Sequence, residues 1–233
     1  MQCSRSFPRK TATGNAVAAP LKKILITAGP TREMLDPVRF LTNLSTGEMG
    51  YALARVAASK GYQVSLVSGP TDLQPPKGVR FYPVVSAAQM KKICTELFPK
   101  HDGLIMTAAV CDFMPDRSER HKIVSSKGMT LRLRRTPDIL ASLARRKGSR
   151  IVIGFCLETR DLIRRATDKL IRKRADGIVA NFYDPKRQVP FGKRRVTVHL
   201  IGPDGAVRSL VNRSKAQVAG AVLGWMQGLR RVR

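Results

Sequence analysis

The sequence predicts one α/β domain with a mostly parallel sheet and a C-terminal β-hairpin. Three observations carry this. Short apolar runs alternate with amphipathic segments of about 10–15 residues, the rhythm of strand–helix–strand units. The last two runs flank a Gly202-Pro203-Asp204-Gly205 turn, and the first of them alternates apolar with polar residues, as a hairpin arm does. The 233 residues are 43% hydrophobic, enough for a full core, with no repeat, heptad or low-complexity block.

The elements follow in order. Lys23-Ile24-Leu25-Ile26-Thr27-Ala28 ends at Gly29-Pro30 and reads as a buried strand and a turn. Residues 48–60 place Met49, Leu53, Val56 and Ala57 on one helical face, with Gly61 as the stop. Residues 64–67 form a strand stopped by Ser68-Gly69-Pro70, and residues 79–85 form a third. Ser86 caps a helix through Phe98, striped by Met90, Ile93, Cys94 and Leu97. Residues 103–108 are a fourth strand. Residues 114–128 are polar and without period, a lid or a disordered stretch. Leu131 and Leu133 alternate with Arg132 and Arg134, as in a half-buried strand. Thr136 and Pro137 start a helix that Gly148 ends. Strand 151–155, helix 160–174 and strand 177–180 come next. Val196, Val198 and Leu200 form one hairpin arm, residues 206–211 the other, and a last helix runs over about 213–227. The domain spans 22–233 after a flexible basic tail, residues 1–21. The tail's acid-free, Ser/Thr-containing composition is shared by transit peptides.

Lys and Arg number 43 against 16 Asp and Glu, a formal charge of +27. That balance calls for an anionic partner: nucleic acid, acidic lipid or polyphosphate. Residues 1–116 hold 14 basic and 8 acidic residues, whereas 117–233 hold 29 and 8. Cys3, Cys94, Cys111 and Cys156 include no C-x-x-C pair, which excludes a zinc ribbon or thioredoxin motif. A reducing, cytoplasmic compartment is the expectation. No apolar run approaches the roughly 20 residues of a membrane span, so no membrane partner is expected. No acid follows strand 64–67 to hold a dinucleotide ribose, no Tyr has a Lys four residues on, and the P-loop pattern is missing. Dehydrogenase and P-loop NTPase readings therefore fall.

Ligands of a parallel sheet bind beyond the carboxyl ends of its strands. After the first strand, Asn43-Leu44-Ser45-Thr46-Gly47-Glu48-Met49-Gly50 leads into a helix. Gly47 and Gly50 let backbone N–H groups approach an anion, and they equally suit a plain structural turn. The fourth strand ends in Ala108-Ala109-Val110-Cys111-Asp112, where small residues allow backbone contact. Asp112 suits a metal ion, a sugar hydroxyl or a simple cap. On helix 160–174, Leu162, Ile163, Ala166 and Leu170 can face the core, while Arg165, Lys169 and Lys173 share another face. Like charges so spaced repel by roughly a few tenths of a kcal/mol, and an anion between them reverses the sign. A solvated basic face is the alternative.

Together these segments resemble the phosphopantothenoylcysteine synthetase family, the C-terminal domain of DNA/pantothenate metabolism flavoproteins. ITAGPTREMLDPVRFLTNLSTGEMG is similar to its first loop. TAAVCDF, RRTPDIL, GFCLET and the K-x-x-x-K-x-x-D-x-x-x-x-N run of Lys169, Lys173, Asp176 and Asn181 follow in family order. The resemblance implies a Rossmann-like three-layer αβα fold. It implies a ligase of coenzyme A biosynthesis that joins 4′-phosphopantothenate to cysteine through an acyl-nucleotide. The co-substrate is a nucleoside triphosphate with Mg²⁺, CTP or ATP, and bacterial-type motifs such as TREMLDPVRFLTN lean to CTP. No flavin is implied, and a homodimer is.

By the same resemblance, Asn43 and Lys122 are the catalytic residues: Asn43 holds the acyl carbonyl, and Lys122 is the first lysine of a mobile flap. Arg39, Asn43 and Ala109 are substrate contacts. The nucleotide falls to Ala108, Asp112, Lys122, Pro137, Asp138, Ile139, Leu140, Phe155, Lys169 and Lys173, with Phe155 near the base and the last two lysines near the phosphates. No metal ligands are assigned. Three positions depart from the family pattern. The flap reads Lys122-Ile123-Val124-Ser125-Ser126-Lys127 rather than K-x-K-K, Glu48 replaces a non-acidic residue, and GFCLET replaces GFAAET. Only about 20 residues precede the domain, which implies a stand-alone synthetase whose decarboxylase is another chain. The rival readings are a basic nucleic-acid-binding α/β protein, for which 6% aromatic residues leave few stacking platforms, and a degenerate synthetase fold.

Overall fold

The computed structural model describes residues 20–124, 128–184 and 195–231. Strand β1 (Lys23–Ala28) is buried from Ile24 onward, as a central parallel strand covered on both faces must be. A small antiparallel hairpin follows, β2 (Arg32–Met34) with β3 (Phe40–Thr42), inside what the sequence presents as one long loop. Then come α1 (Glu48–Ser59), β4 (Gln63–Ser68), β5 (Val79–Pro83) and α2 (Ala87–Leu97). Ser86 caps α2 as expected. Its side chain accepts from the Gln89 backbone N–H, and the Gln89 side chain accepts in return from the Ser86 N–H. A single 3₁₀ turn at Phe98–Lys100 leads to β6 (Gly103–Met106).

Strand β7 (Phe113–Pro115) pairs antiparallel with β8 (Leu133–Arg135), so the polar stretch after Asp112 opens on structure rather than on a free lid. Helix α3 (Ile139–Ala144) starts later and ends earlier than expected. Asp138 is its N-cap, accepting from the Ala141 N–H at 3.0 Å, and Thr136 and Pro137 stay outside it. The remainder is β9 (Ile151–Glu158), α4 (Leu162–Lys173), β10 (Gly177–Phe182), β11 (Val196–Ile201), β12 (Val207–Arg213) and α5 (Lys215–Arg231).

Eight strands form the main sheet in the order β12-β11-β10-β9-β6-β1-β4-β5. All neighbours are parallel except β10–β11 and β11–β12, the expected C-terminal hairpin edge. Helices α1 and α5 pack together over one face, while α2, α3 and α4 cover the other. Strands β4 and β5 lie to one side of β1 and β6 to the other, so chain direction across the sheet reverses between β1 and β6. The loops leaving these two strands diverge, which opens a crevice at their carboxyl ends.

Two glycines let the loops there nest. A Cβ on Gly69 would fall 1.7 Å from the Pro30 carbonyl oxygen. One on Gly47, whose φ is +77°, would fall 2.7 Å from the Thr71 methyl. Thr71 thus backs directly onto the start of α1.

Candidate active site

The loops after β1 and β6 are tied to one another. The Ala109 N–H donates to Gly29 O at 2.9 Å, and the Thr31 N–H donates to Ala109 O at 3.2 Å. Asn43 spans the same joint, its Nδ2 donating to Ala109 O at 3.3 Å and to Val110 O at 3.1 Å. Above this joint lies a two-lobed cleft. The first lobe, about 500 Å³, lies over residues 43–50, Thr107, Ala109, Asn181, Tyr183 and Lys215. The second, about 420 Å³, lies over Arg135, Pro137, Asp138, Ile139, Leu140, Arg172 and Lys173. Ala108, Val110, Asp112, Phe155 and Lys169 line both.

Nine of the ten residues expected at a nucleotide therefore meet in the second lobe: Ala108, Asp112, Pro137, Asp138, Ile139, Leu140, Phe155, Lys169 and Lys173. Asn43 and Ala109 meet in the first. Lys122 and Arg39 line neither lobe. Arg39 pairs with the buried Asp36 at 3.3 Å and donates to Ile123 O at 3.1 Å. The Ile123 N–H donates to the other side of the knot, Asp36, at 3.1 Å. Burial alone would raise the Asp36 pKa. Backbone N–H groups of Val38, Ile123 and Arg39, with the Arg39 charge, outweigh it and hold the carboxyl below its ordinary value. This knot anchors exposed Lys122 through its neighbour. Lys127 lies outside the described residues.

The cationic face of α4 divides among separate acceptors. Arg165 reaches away to Glu158 at 2.5 Å. Lys173 pairs with Asp138, and the Lys169 ammonium donates to Phe155 O at 2.9 Å. Burial lowers the Lys169 pKa, since desolvation penalises the charged form, and Lys173 adds repulsion. Burial acts the other way on Asp138, but Lys173 and the Ala141 N–H overcome it and the carboxyl stays below its usual range. Cys156, beside Lys169, is pushed up to about 11 by burial and is a thiol at neutral pH. The second lobe thus carries Arg135, Lys169, Arg172 and Lys173 against Asp112 and Asp138, an excess of positive charge.

Asp176, part of the Lys169–Asn181 motif, sits at the opposite end of the sheet. It accepts from Lys147 at 2.5 Å and from the Val152 N–H at 2.8 Å, a brace rather than a ligand contact. Among the described residues no three His, Cys, Asp or Glu side chains gather to form a metal cage. Mg²⁺ needs none, because it is usually held by one or two carboxylates plus substrate phosphates; Asp112 fits that part, whereas the Asp138 oxygens are taken by the Ala141 N–H and Lys173. Sequence reasoning missed Lys215, which pairs with Glu48 at 3.1 Å across the first lobe. One sign was available: a lysine at a helix N-terminus opposes the helix dipole and needs another reason to be there.

The family model "DNA/pantothenate metabolism flavoprotein C-terminal domain" matches residues 20–229. The coenzyme A biosynthesis bifunctional protein CoaBC of Bacillus subtilis is 46% identical over 211 residues, 88% of this chain and 52% of that protein. That of Vibrio parahaemolyticus is 38% identical over 231 residues, 97% of this chain and 56% of that protein. The chain spans about half the length of the curated relatives it matches. Among solved structures, the C-terminal domain of a CoaBC protein superposes with a TM-score of 0.78 at 39% identity, covering 94% of this chain and 100% of that one. No helix among the described residues is long and apolar enough to cross a membrane.

Proposed function

The chain belongs to the DNA/pantothenate metabolism flavoprotein C-terminal domain family, and from that premise we propose that it is a phosphopantothenate–cysteine ligase working through an acyl-nucleotide. The observation that supports this most is the pair of adjoining lobes, one with excess positive charge, meeting over Phe155 and Lys169. A carboxylate is a poor electrophile, and its activation brings two anions together. The second lobe receives the triphosphate and offsets that repulsion. The carboxylate oxygen of 4′-phosphopantothenate attacks the α-phosphorus; the bond to the β-phosphate oxygen breaks and pyrophosphate leaves. The neutral amine of cysteine then attacks the acyl carbon. A C–N bond forms, the C–O bond to the nucleotide breaks, and the amine proton is lost as the nucleoside monophosphate departs.

Lys169, common to both lobes, stays beside the phosphate through both steps. Asn43 turns an N–H from the Val110 carbonyl to the acyl carbonyl, held in place by Ala109. Bound Mg²⁺, carried in with the nucleotide and met by Asp112, supplies charge neutralisation. Holding both reactants in one cleft gives the proximity the reaction needs and keeps water from the activated acyl group.

Arg39 and Lys122 lie on the arm formed by the two small hairpins. That arm exposes Val38, Phe40, Phe113, Leu131 and Leu133, a set that a homodimer covers. The reading adopted is a cytoplasmic dimer that prefers CTP to ATP.

The test is pyrophosphate release from 4′-phosphopantothenate with CTP or ATP, with and without cysteine. Without cysteine, release stops at about one equivalent per site, as a bound activated intermediate requires. Asn43→Asp and Lys122→Gln each cut turnover about 10²–10³-fold, roughly 3–4 kcal/mol, the usual cost of one preorganised donor. Near-native turnover in both variants would overturn the site assignment.

A further inference from the structure

We propose that Glu33 is a positioning residue for Asn43: by capping α2 from outside that helix, it fixes the hairpin that delivers the Asn43 amide to the acyl carbonyl. The inference rests on the ligase reading and names what holds one of its groups in place. Alternation along β2 turns Arg32 and Met34 to one side and Glu33 to the other. Glu33 is 3% exposed, and its Oε1 accepts from the Ala87 N–H at 2.8 Å.

Ala87 is the first residue of α2, and its N–H is one of the donors that a helix start leaves without an internal acceptor. The local cap does not reach it. Ser86 Oγ accepts from the Gln89 N–H, and the Gln89 side chain accepts from the Val85 and Ser86 N–H groups. The remaining donor goes to Glu33, 54 positions away. A buried carboxyl group is costly unless it is hydrogen-bonded, and the positive end of the α2 dipole favours it here. The Arg32 guanidinium stays on the other side of β2, 4.5 Å over the Phe40 ring.

The β2–β3 hairpin needs such an anchor, because two strands of three residues are marginal by themselves. Two bonds tie it to the turn between β5 and α2: Glu33 to Ala87, and the Arg32 N–H to Val85 O at 2.8 Å. Glu33 lies opposite Leu41, two residues before Asn43. The base of the hairpin is closed by Thr42 Oγ1, which donates to Thr31 O at 2.8 Å, and by the Cys111 N–H, which donates to Thr31 Oγ1 at 3.0 Å. Released from α2, the hairpin pivots on that base and carries the Asn43 amide off the Ala109 and Val110 carbonyls. The nucleotide walls at residues 137–140, Lys169 and Lys173 lie on other elements and stay. The buried Cys111 thiol, 3.7 Å from Leu41 O, sits at the base and reports on it.

In Glu33→Ala, kcat falls about 10- to 100-fold, as a displacement near 1 Å produces, while the nucleotide KM stays within about threefold. Glu33→Gln keeps the acceptor oxygen and restores most of kcat. Ala87→Pro removes the donor instead. Proline suits the first position of a helix, and Ser86 before it is already extended, with φ −102° and ψ 163°. The Glu33→Ala/Ala87→Pro double variant is no slower than the slower single one, because both changes break one bond. Thiol labelling read by mass spectrometry follows the hairpin without catalysis: in Glu33→Ala, Cys111 reacts faster while Cys94, buried in α2, keeps its wild-type rate. An unchanged kcat in Glu33→Ala, a Gln variant as slow as the Ala variant, additive losses in the double variant, or Cys94 labelling that rises with Cys111 overturns the inference. A wild-type protein without any pyrophosphate burst overturns the ligase reading instead. Labelling then judges the anchor: Cys111 alone faster upholds it, and an unchanged Cys111 refutes it.

Discussion

Lys169→Met isolates the residue on which the two lobes converge. The substitution keeps an unbranched side chain and removes an ammonium whose protein acceptor is the Phe155 carbonyl at 2.9 Å. A charge-assisted hydrogen bond contributes about 1.5–3 kcal/mol. Losing one to the nucleotide raises its KM roughly 10- to 150-fold at 1.4 kcal/mol per decade, with a smaller change in kcat. Stability moves the other way. A buried ammonium without a carboxylate partner is costly, so its replacement by Met leaves the midpoint of unfolding unchanged or raised.

The pH dependence carries the same signature. Folding lowers the Lys169 pKa below its ordinary 10.5, so the folded chain binds this proton less readily than the unfolded chain. The ammonium therefore costs stability below the lowered value. That cost is relieved as pH rises from there toward 10.5, and the Met variant lacks the rise. Nucleotide KM, calorimetric nucleotide binding and urea midpoints across alkaline pH read the three effects. A KM within about threefold of wild type, together with a loss of more than about 2 kcal/mol of stability, would show that Lys169 serves the fold and not the ligand.

Three further outcomes follow from packing and titration. Leu104→Ala, at a fully buried position in β6, lowers unfolding free energy by about 2–5 kcal/mol in urea, unless the site collapses onto the gap. Gly69→Ala forces a Cβ to 1.7 Å from a backbone oxygen. The Pro30 loop must shift, and thermal melts show a loss of about 1–3 kcal/mol with reduced pyrophosphate release. Asp36→Asn flattens the acid limb of the stability profile. The Asp36 contribution is present above its ordinary pKa of 3.8 and is lost as pH falls through the lower folded value. Hydrogen exchange at Ile123 also quickens in that variant, and an unchanged rate there refutes the Asp36 anchor.

Much of the frame was legible residue by residue. The apolar run of β1, the Ser86 cap and the alternation in β11 are encoded within a few positions, because φ/ψ preference and side-chain period are local. Local reasoning failed where two local signals competed. Pro137 suits a helix start, but Asp138, which can accept from the Ala141 N–H, takes the cap and moves the start to Ile139. It also failed for β2, β3 and β7, three-residue strands too short to show a period; β8 lies where the Leu131–Arg134 alternation puts a strand, but it is exposed rather than half-buried.

The cleft divides the same way. The sequence by itself determined the strand–helix alternation, the glycines and small residues at strand ends, and the motifs that marked Asn43, Phe155, Lys169 and Lys173. Only the tertiary structure decided that Arg165 turns away to Glu158, that Asp176 braces the far end of the sheet, and that Arg39 knots Asp36 to Ile123. It alone joins Glu48 to Lys215, 167 positions apart. Such contacts depend on which strands lie side by side. That order is settled by burial of the whole sheet between two helical layers, a sum over many weak apolar contacts that no single stretch of chain contains.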